Sequence, residues 1–448
     1  MGHLPLYKII LLENSTIIFF PETLDIVTIK NEDFKKVTEA QIQEYYNNLK
    51  ETSVSDSSVC QCPSETKITL FKLMLNMSDD CNLNCKYCYA SKYYNRQNMS
   101  KETIDKVISK FFLSEVISGI KLIIFFGGEP LLNIDGIEYF INRLEELRTD
   151  GKISRLPRFN IITNGTIYTQ RVAELFKKYK FGILVSCDGP ADIQDIQRPF
   201  RHSDKGSFEV VSQNLKKMKE DGLDVGIECT VTKHGVAAGY THAKIKSFFK
   251  DEFNISNLMC VPENMTTIEK KFEFHENFYT NTNRLFEVFE NIEEYDELFE
   301  ISYRLLTKKS ITYPCTLGRT SFHILANGEI YPCQLISGME EYKISHIDSF
   351  NNSLFYNNDW IKKYDSHSQK CNSCWAKPLC KFCTARELLE SNQYLPGEKN
   401  CLKFQEDLSE LIKKVTELRQ DPERWNDFSI RLKAKSRSIQ ERVGLKLS

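Results

Sequence analysis

Residues 78–91 read SDDCNLNCKYCYAS and place Cys81, Cys85 and Cys88 on one short loop at the spacing C-x3-C-x2-C. A structural zinc ion takes four ligands, and disulfides use thiols in pairs. Three thiols together leave a coordination position open. An iron–sulfur cube held by three thiolates keeps one iron free for a small molecule; a Cys3His zinc knot or three unrelated buried thiols are the alternatives. Fifteen cysteines in 448 residues, with a formal charge of −2, favour metal ligation or catalysis over disulfides in a reducing compartment. The near-neutral charge gives no pull toward nucleic acid or an acidic membrane surface. No apolar run reaches the length of a membrane span, and the start MGHLPLYKII lacks a secretion signal's basic region followed by a long apolar run. The expectation is a cytoplasmic protein with no membrane or nucleic-acid partner.

The elements that must carry this loop are legible as alternation. TLFKLMLNM (69–77), KLIIFF (121–126), FNIIT (159–163), GILVS (182–186), VGIECTVT (225–232) and ISNLMCV (255–261) are short and apolar, like buried parallel strands. Helical periods lie between them. One follows Ser100, a plausible N-cap, and others cover about 135–148, 169–180, 207–221 and 243–253. Six strands alternating with helices predict a parallel sheet with right-handed crossovers, either an open sheet or an arc of a barrel. Function belongs at the C-terminal strand ends. There lie the triad loop, Gly127-Gly128-Glu129-Pro130, Asn164 in TNG, and Ser186 and Asp188 in SCDGP.

With GGEP after the second strand and an aromatic, Tyr87, in the last gap of the triad, the chain resembles the radical S-adenosylmethionine (SAM) superfamily. That resemblance implies a partial (β/α)6 TIM-like barrel, an α/β fold. It implies a [4Fe–4S] cluster on Cys81, Cys85 and Cys88 whose open iron chelates SAM, and reductive cleavage to a 5′-deoxyadenosyl radical. Cofactor contacts are expected from Tyr87, lying against the adenine, from Gly127, Gly128, Glu129, Pro130 and Asn164, and from Ser186, Asp188 and Arg198, the last in QDIQRPF. A low-potential flavodoxin or ferredoxin would supply the electron.

A second set of thiols follows. Cys315, Gly328 and Cys333 fit C-x12-G-x4-C, and CNSCWAKPLCKFC supplies Cys371, Cys374, Cys380 and Cys383 before Cys401. This resembles the SPASM extension of peptide-modifying radical enzymes, except that the last pair is C-x2-C where the usual pattern has C-x3-C. A zinc ribbon from two CxxC pairs is the alternative. The resemblance implies two auxiliary [4Fe–4S] clusters, one on Cys315, Cys333 and Cys383, the other on Cys371, Cys374, Cys380 and Cys401. The first then has either an open iron or a distant fourth ligand. An open iron suits capture of a substrate thiolate, which points to thioether formation in a ribosomal precursor peptide with a leader and core cysteines, the sactipeptide and ranthipeptide type. Residue 334 is a glutamine. In sulfatase maturases, which share the cluster pattern, an aspartate there is the general base, and an amide cannot take that proton.

The expected domains are a small α+β, winged-helix-like leader-recognition unit at 1–65, the barrel at 66–262, a helical bridge at 263–314, the cysteine-rich domain at 315–404 and a helical tail at 405–448. Cys187, Cys229 and Cys260 lie in or beside apolar strands and read as small buried hydrophobes. The eight histidines form no ligand pattern.

Overall fold

The computed structural model describes residues 5–52, 67–92, 95–203, 205–263, 296–310, 316–380 and 382–443. The chain divides into two compact units. One comprises Met1–Cys62, Glu276–Cys315 and Lys363–Ser448; the other comprises Pro63–His275 and Thr316–Lys362.

In the first unit β1 (Lys8–Leu11), β2 (Ser15–Phe20) and β3 (Asp25–Lys30) form an antiparallel sheet in that order. Side chains alternate between the faces of a strand, and the central STIIFF strand uses both. Ile18 and Phe20 pack with Ile42 and Tyr46 of helix Glu39–Thr52. Ile17 and Phe19 join a core with Leu408, Leu411 and Val415 of helix Glu398–Arg419 and with Phe428 and Leu432 of helix Pro422–Val443. Sequence alone separates residues 1–65 from the tail; here the two share apolar surface, because a two-faced central strand needs cover on both sides. Helix Asp296–Thr307 contributes Ile301 and Leu305 to the same core. The remainder of the expected helical bridge at 263–314 lies largely outside the described residues.

In the second unit β4 (Ile68–Ser78), β5 (Ile117–Gly127), β6 (Arg158–Thr163), β7 (Gly182–Ser186), β8 (Val225–Val231) and β9 (Leu258–Pro262) run parallel, each beside the next. Doubly wound sheets reverse strand order midway; this one does not, which is the winding of a barrel arc. The crossover helices are Lys101–Phe111, Ile134–Thr149, Gln170–Tyr179, Phe208–Glu220 and His242–Phe253. Ser100 caps the first by accepting from the Thr103 amide at 3.1 Å, and Ile104, Val107, Ile108 and Phe111 are its buried face. Two short helices, Ala191–Gln197 and Lys233–Ala237, escape sequence reading because neither completes two turns of apolar period.

The same sheet extends on its other edge. β10 (Ser321–Ile324) pairs parallel with β4, and β11 (Glu329–Tyr331) and β12 (Ser345–His346) continue antiparallel. Residues 316–362 thus belong with the barrel strands, whereas the sequence reading groups them with the later cysteines. The physical reason is aromatic: Phe322 packs edge-on against Phe111, Phe350 and Phe355 at centroid distances of 5.9, 6.2 and 5.7 Å, a cluster that only the sheet edge can bury.

Candidate functional site

β4 delivers its last residue, Ser78, directly to the cysteine loop, and the loop is tied down along its length. The amides of Asp79, Asn84 and Lys86 donate to the carbonyls of Gln97, Pro199 and Gln197 at 2.8, 2.9 and 3.0 Å, and the Cys88 amide closes a turn onto the Cys85 carbonyl at 3.2 Å. Arg201 pairs with Asp80. From β5, the Gly128 and Glu129 amides donate to the Ser78 and Asp80 carbonyls, both at 2.8 Å. Glycine is required here: Gly127 sits at φ +138° with a would-be Cβ 2.0 Å from the Ser78 oxygen, and a Cβ on Gly128 would lie 2.3 Å from the Asp80 oxygen. The room these glycines leave is filled by the cysteine loop.

Glu129 is fully buried. One carboxylate oxygen accepts from the Leu131 amide at 3.0 Å and the Thr163 hydroxyl at 2.8 Å, and the other from the Asn164 amide at 2.7 Å. Burial lifts this carboxyl to about 7 against the pull of those bonds. Asn164 in turn donates from its side chain to the Cys81 sulfur at 3.6 Å and to Asn82 Oδ1 at 2.8 Å. Pro130 opens the short turn Pro130–Asn133 behind the site.

Asp188 organises the opposite side. Its carboxylate accepts from the Tyr87 hydroxyl at 2.6 Å and the Thr230 amide at 2.9 Å, and pairs with Arg198 Nε at 3.1 Å. The Arg198 guanidinium also lies over the Tyr87 ring, 5.4 Å from its centroid. Burial is the largest single influence and opposes the arginine's charge, but Asp188 together with Tyr87, Cys85 and Cys187 outweighs it and the pKa rises. Where sequence reasoning sends Tyr87 and Arg198 to the cofactor, the structure bonds both to Asp188. Ser186 ends β7, half-buried, in register with Glu228.

Burial pushes the Cys81 thiol up to about 12, with the Glu129 charge adding to the effect, and also raises Cys85, which Arg198 opposes. A bound metal reverses this, since a coordinating thiol is deprotonated outright. Among the described residues no three Cys, His, Asp or Glu side chains form a ready-made cage for a single ion. Thiolates on an iron–sulfur cube bind different irons and stand further apart than ligands of one ion. Three loop thiols, one already receiving an amide and a side-chain donor, fit that larger group.

Sequence reasoning missed a buried polar chain in this unit. His323, on β10, faces Asn76 Oδ1 through Nε2 at 2.7 Å and Ser337 Oγ through Nδ1 at 2.5 Å. Asn76 donates to Asp79 at 2.9 Å, and Ser337 donates to the Cys333 carbonyl at 2.8 Å. Full burial depresses the His323 pKa to about 3, with the Lys72 charge contributing, so the ring is neutral. The one available signal was a histidine inside the apolar stretch SFHI. Gly328, at φ +92°, makes the turn between β10 and β11. Cys333 is buried, accepts from the Leu335 amide at 3.5 Å and lies 3.5 Å from the Gln334 side-chain oxygen.

Cys315 lies outside the described residues. In the first unit Cys371, Cys374 and Cys380 occupy successive turns, with amide–carbonyl bonds from Cys374 to Cys371, Lys377 to Cys374 and Cys380 to Lys377, each 3.1 Å. Cys401, in helix Glu398–Arg419, leans on the Pro396 carbonyl at 3.6 Å. Burial raises Cys371, and the neighbouring Cys374 and Cys401 add to that, so these three thiols share one neighbourhood. Cys383 precedes helix Thr384–Ser391.

The family model described as "Radical SAM superfamily" matches residues 75–251. The chain is 28% identical over 337 residues to the cysteine-type anaerobic sulfatase-maturating enzyme of Clostridium novyi (strain NT), covering 70% of this chain and 87% of that protein. It is 27% identical over 190 residues to the radical SAM cyclopropyl synthase TigE of Paramaledivibacter caminithermalis, 38% of this chain and 37% of that one. The solved structure of native anSMEcpe with bound AdoMet shares the fold, with a TM-score of 0.56 at 20% identity over 77% of this chain and 97% of that one. Parallel strands in sequence order and three thiols after the first agree with the family match, which makes residues 75–251 similar to a radical SAM domain. The family implies SAM and one [4Fe–4S] cluster.

Proposed function

We propose that this enzyme modifies a ribosomally made precursor peptide by installing intramolecular thioether bonds from a cysteine sulfur to carbon. Cys81, Cys85 and Cys88 would hold the cluster. When bound there with SAM, it supplies a 5′-deoxyadenosyl radical that takes hydrogen from a substrate carbon. Glu129 clamps the ends of β5 and β6, and so sets where Asn164 meets the Cys81 sulfur. Asp188 keeps Arg198 charged and fixes the Tyr87 ring. The expected auxiliary ligands remain Cys315, Cys333 and Cys383 for one cluster and Cys371, Cys374, Cys380 and Cys401 for the other, and a low-potential flavodoxin or ferredoxin is the expected donor.

The observation that carries the thioether reading is Gln334. Its amide oxygen lies against the Cys333 sulfur at 3.5 Å, at the position where the resemblance puts the base of sulfatase maturases, and it cannot remove a proton. A second reading, oxidation of a cysteine to formylglycine, is favoured by the sulfatase-maturating relative, 87% of whose length is covered.

Anaerobic incubation with reductant, SAM and a cysteine-containing peptide encoded beside the gene separates the two. A mass loss of two hydrogens per bond, with a thiol no longer alkylatable, is the expected result. A product that reacts with a hydrazide as an aldehyde establishes the second reading. Loss of hydrogens with every thiol still alkylatable rejects both in favour of carbon–carbon linkage.

A further inference from the structure

The three cysteines that read as isolated buried hydrophobes are brought together. Cys229 on β8 and Cys260 on β9 are direct partners in the parallel register. Neighbouring strands stand roughly 4.8 Å apart, inside the roughly 4.4–6.8 Å Cα separation that a disulfide spans. Cys229 is fully buried and donates its S–H to the Asp188 carbonyl at 3.3 Å. Cys260 is half-buried. His242, the first residue of helix His242–Phe253, hydrogen-bonds its sulfur. Cys187 lies near Cys229, with its own thiol turned to the Gly189 carbonyl at 3.7 Å.

We propose that Cys229 and Cys260 are a redox-active dithiol in which Cys260 attacks a small-molecule disulfide and Cys229 resolves it. The groups facing Cys260 fit the division of labour. The adjacent Cys229 thiol is the largest influence and draws its pKa down to about 6; burial opposes this, His242 assists, and the Asp188 charge resists. A thiol beside histidine at a helix N-terminus is the setting in which cysteines ionise and react. Cys229 moves the opposite way, raised by the neighbouring Cys260 thiol and by burial, so it holds its proton until the second step.

The chemistry balances with a disulfide RSSR as oxidant. The Cys260 thiolate attacks one sulfur, forming a mixed disulfide and releasing RS⁻. The Cys229 sulfur then gives up its proton and attacks the Cys260 sulfur. The Cys229–Cys260 bond forms, and the second R group leaves with that proton as RSH. The protein loses two electrons and RSSR gains them. The step also removes the hydrogen that Cys229 gives to Asp188, the residue that holds Tyr87 and Arg198. Oxidation of the pair therefore loosens the support of the candidate SAM site. This inference stands apart from the nature of the peptide product.

The test uses the full chain with its clusters reconstituted anaerobically, oxidised glutathione as probe, quenching with N-ethylmaleimide and peptide mapping by mass spectrometry. The expected product is a Cys229–Cys260 cross-link reversed by dithiothreitol. Cys229→Ser should instead accumulate glutathione on Cys260, and Cys260→Ser should leave Cys229 unmodified. Iodoacetamide labelling of Cys260 should rise with a midpoint near pH 6, and His242→Gln should move that midpoint upward. Persistence of a Cys260–glutathione adduct in the wild type, or a labelling midpoint at the ordinary thiol value of about 8.5, overturns the proposal. Equilibrium dialysis with SAM should show several-fold weaker binding to the cross-linked protein; unchanged binding overturns the link to Asp188.

Discussion

Cys81, Cys85 and Cys88 hang from the end of β4, their loop bonded to the backbones of residues 97, 197 and 199. Cys371, Cys374 and Cys380 sit on successive short turns whose amide bonds run to one another or to the intervening lysine. The first set is positioned by distant chain and carries buried charge around it, in Glu129, Asp188 and Arg198. The second is positioned mainly by its own local chain, with Cys401 brought up by a helix. The lesson is that thiol geometry can come from either source. A site fixed by long-range contacts should be coupled to global stability, whereas a site fixed by turns should not.

The largest contrast is catalytic. Cys85→Ala is expected to abolish release of 5′-deoxyadenosine, measured chromatographically in the presence of reductant. Cys374→Ala should leave that release standing while lowering iron content from the about twelve irons per chain that the three proposed four-iron cubes would require. Loss of release in both variants would dissolve the distinction.

Stability gives the next effect. The Asp188 and Arg198 side chains are 0% and 9% exposed, so Asp188→Asn leaves a buried guanidinium without its counter-charge. Urea unfolding of metal-free protein should show a loss of about 3–5 kcal/mol. Cys371→Ala in the same assay should cost under about 1 kcal/mol.

A third effect depends on pH. The folded His323 pKa lies below its unfolded value, so the unfolded chain binds the extra proton and stability falls as pH drops through the range from about 6.5 to about 3. Relative to His323→Gln, the wild type should lose about 2 kcal/mol between pH 7 and pH 5. An unchanged difference across that range would mean the ring is not held neutral by burial. The smallest effect belongs to the first unit. Trp375 donates to Gln405 Oε1 at 2.9 Å and packs edge-on with Phe19 at 5.9 Å. Trp375→Phe keeps the packing and drops the bond, for about 1 kcal/mol.

The strands β4 to β9, the Ser100 cap and the cysteine loop were legible in the amino-acid order because each depends on neighbours along the chain. Period-two and period-3.6 apolar patterns report which face is buried, and C-x3-C-x2-C is a local spacing. GGEP was legible as a motif at a strand end, though the close approach of the cysteine loop that requires its glycines was not. Tertiary structure decided the pairing of Tyr87 with Asp188, 101 residues away, and of His323 with Asn76, 247 residues away. It also brought Cys229 beside Cys260, and β10 to the edge of β4. None of these leaves a period or a spacing in the sequence, because a hydrogen bond or thiol contact between strands is set by which strand ends the winding of the sheet brings together, and that winding is fixed only when the apolar faces of the whole unit are buried at once.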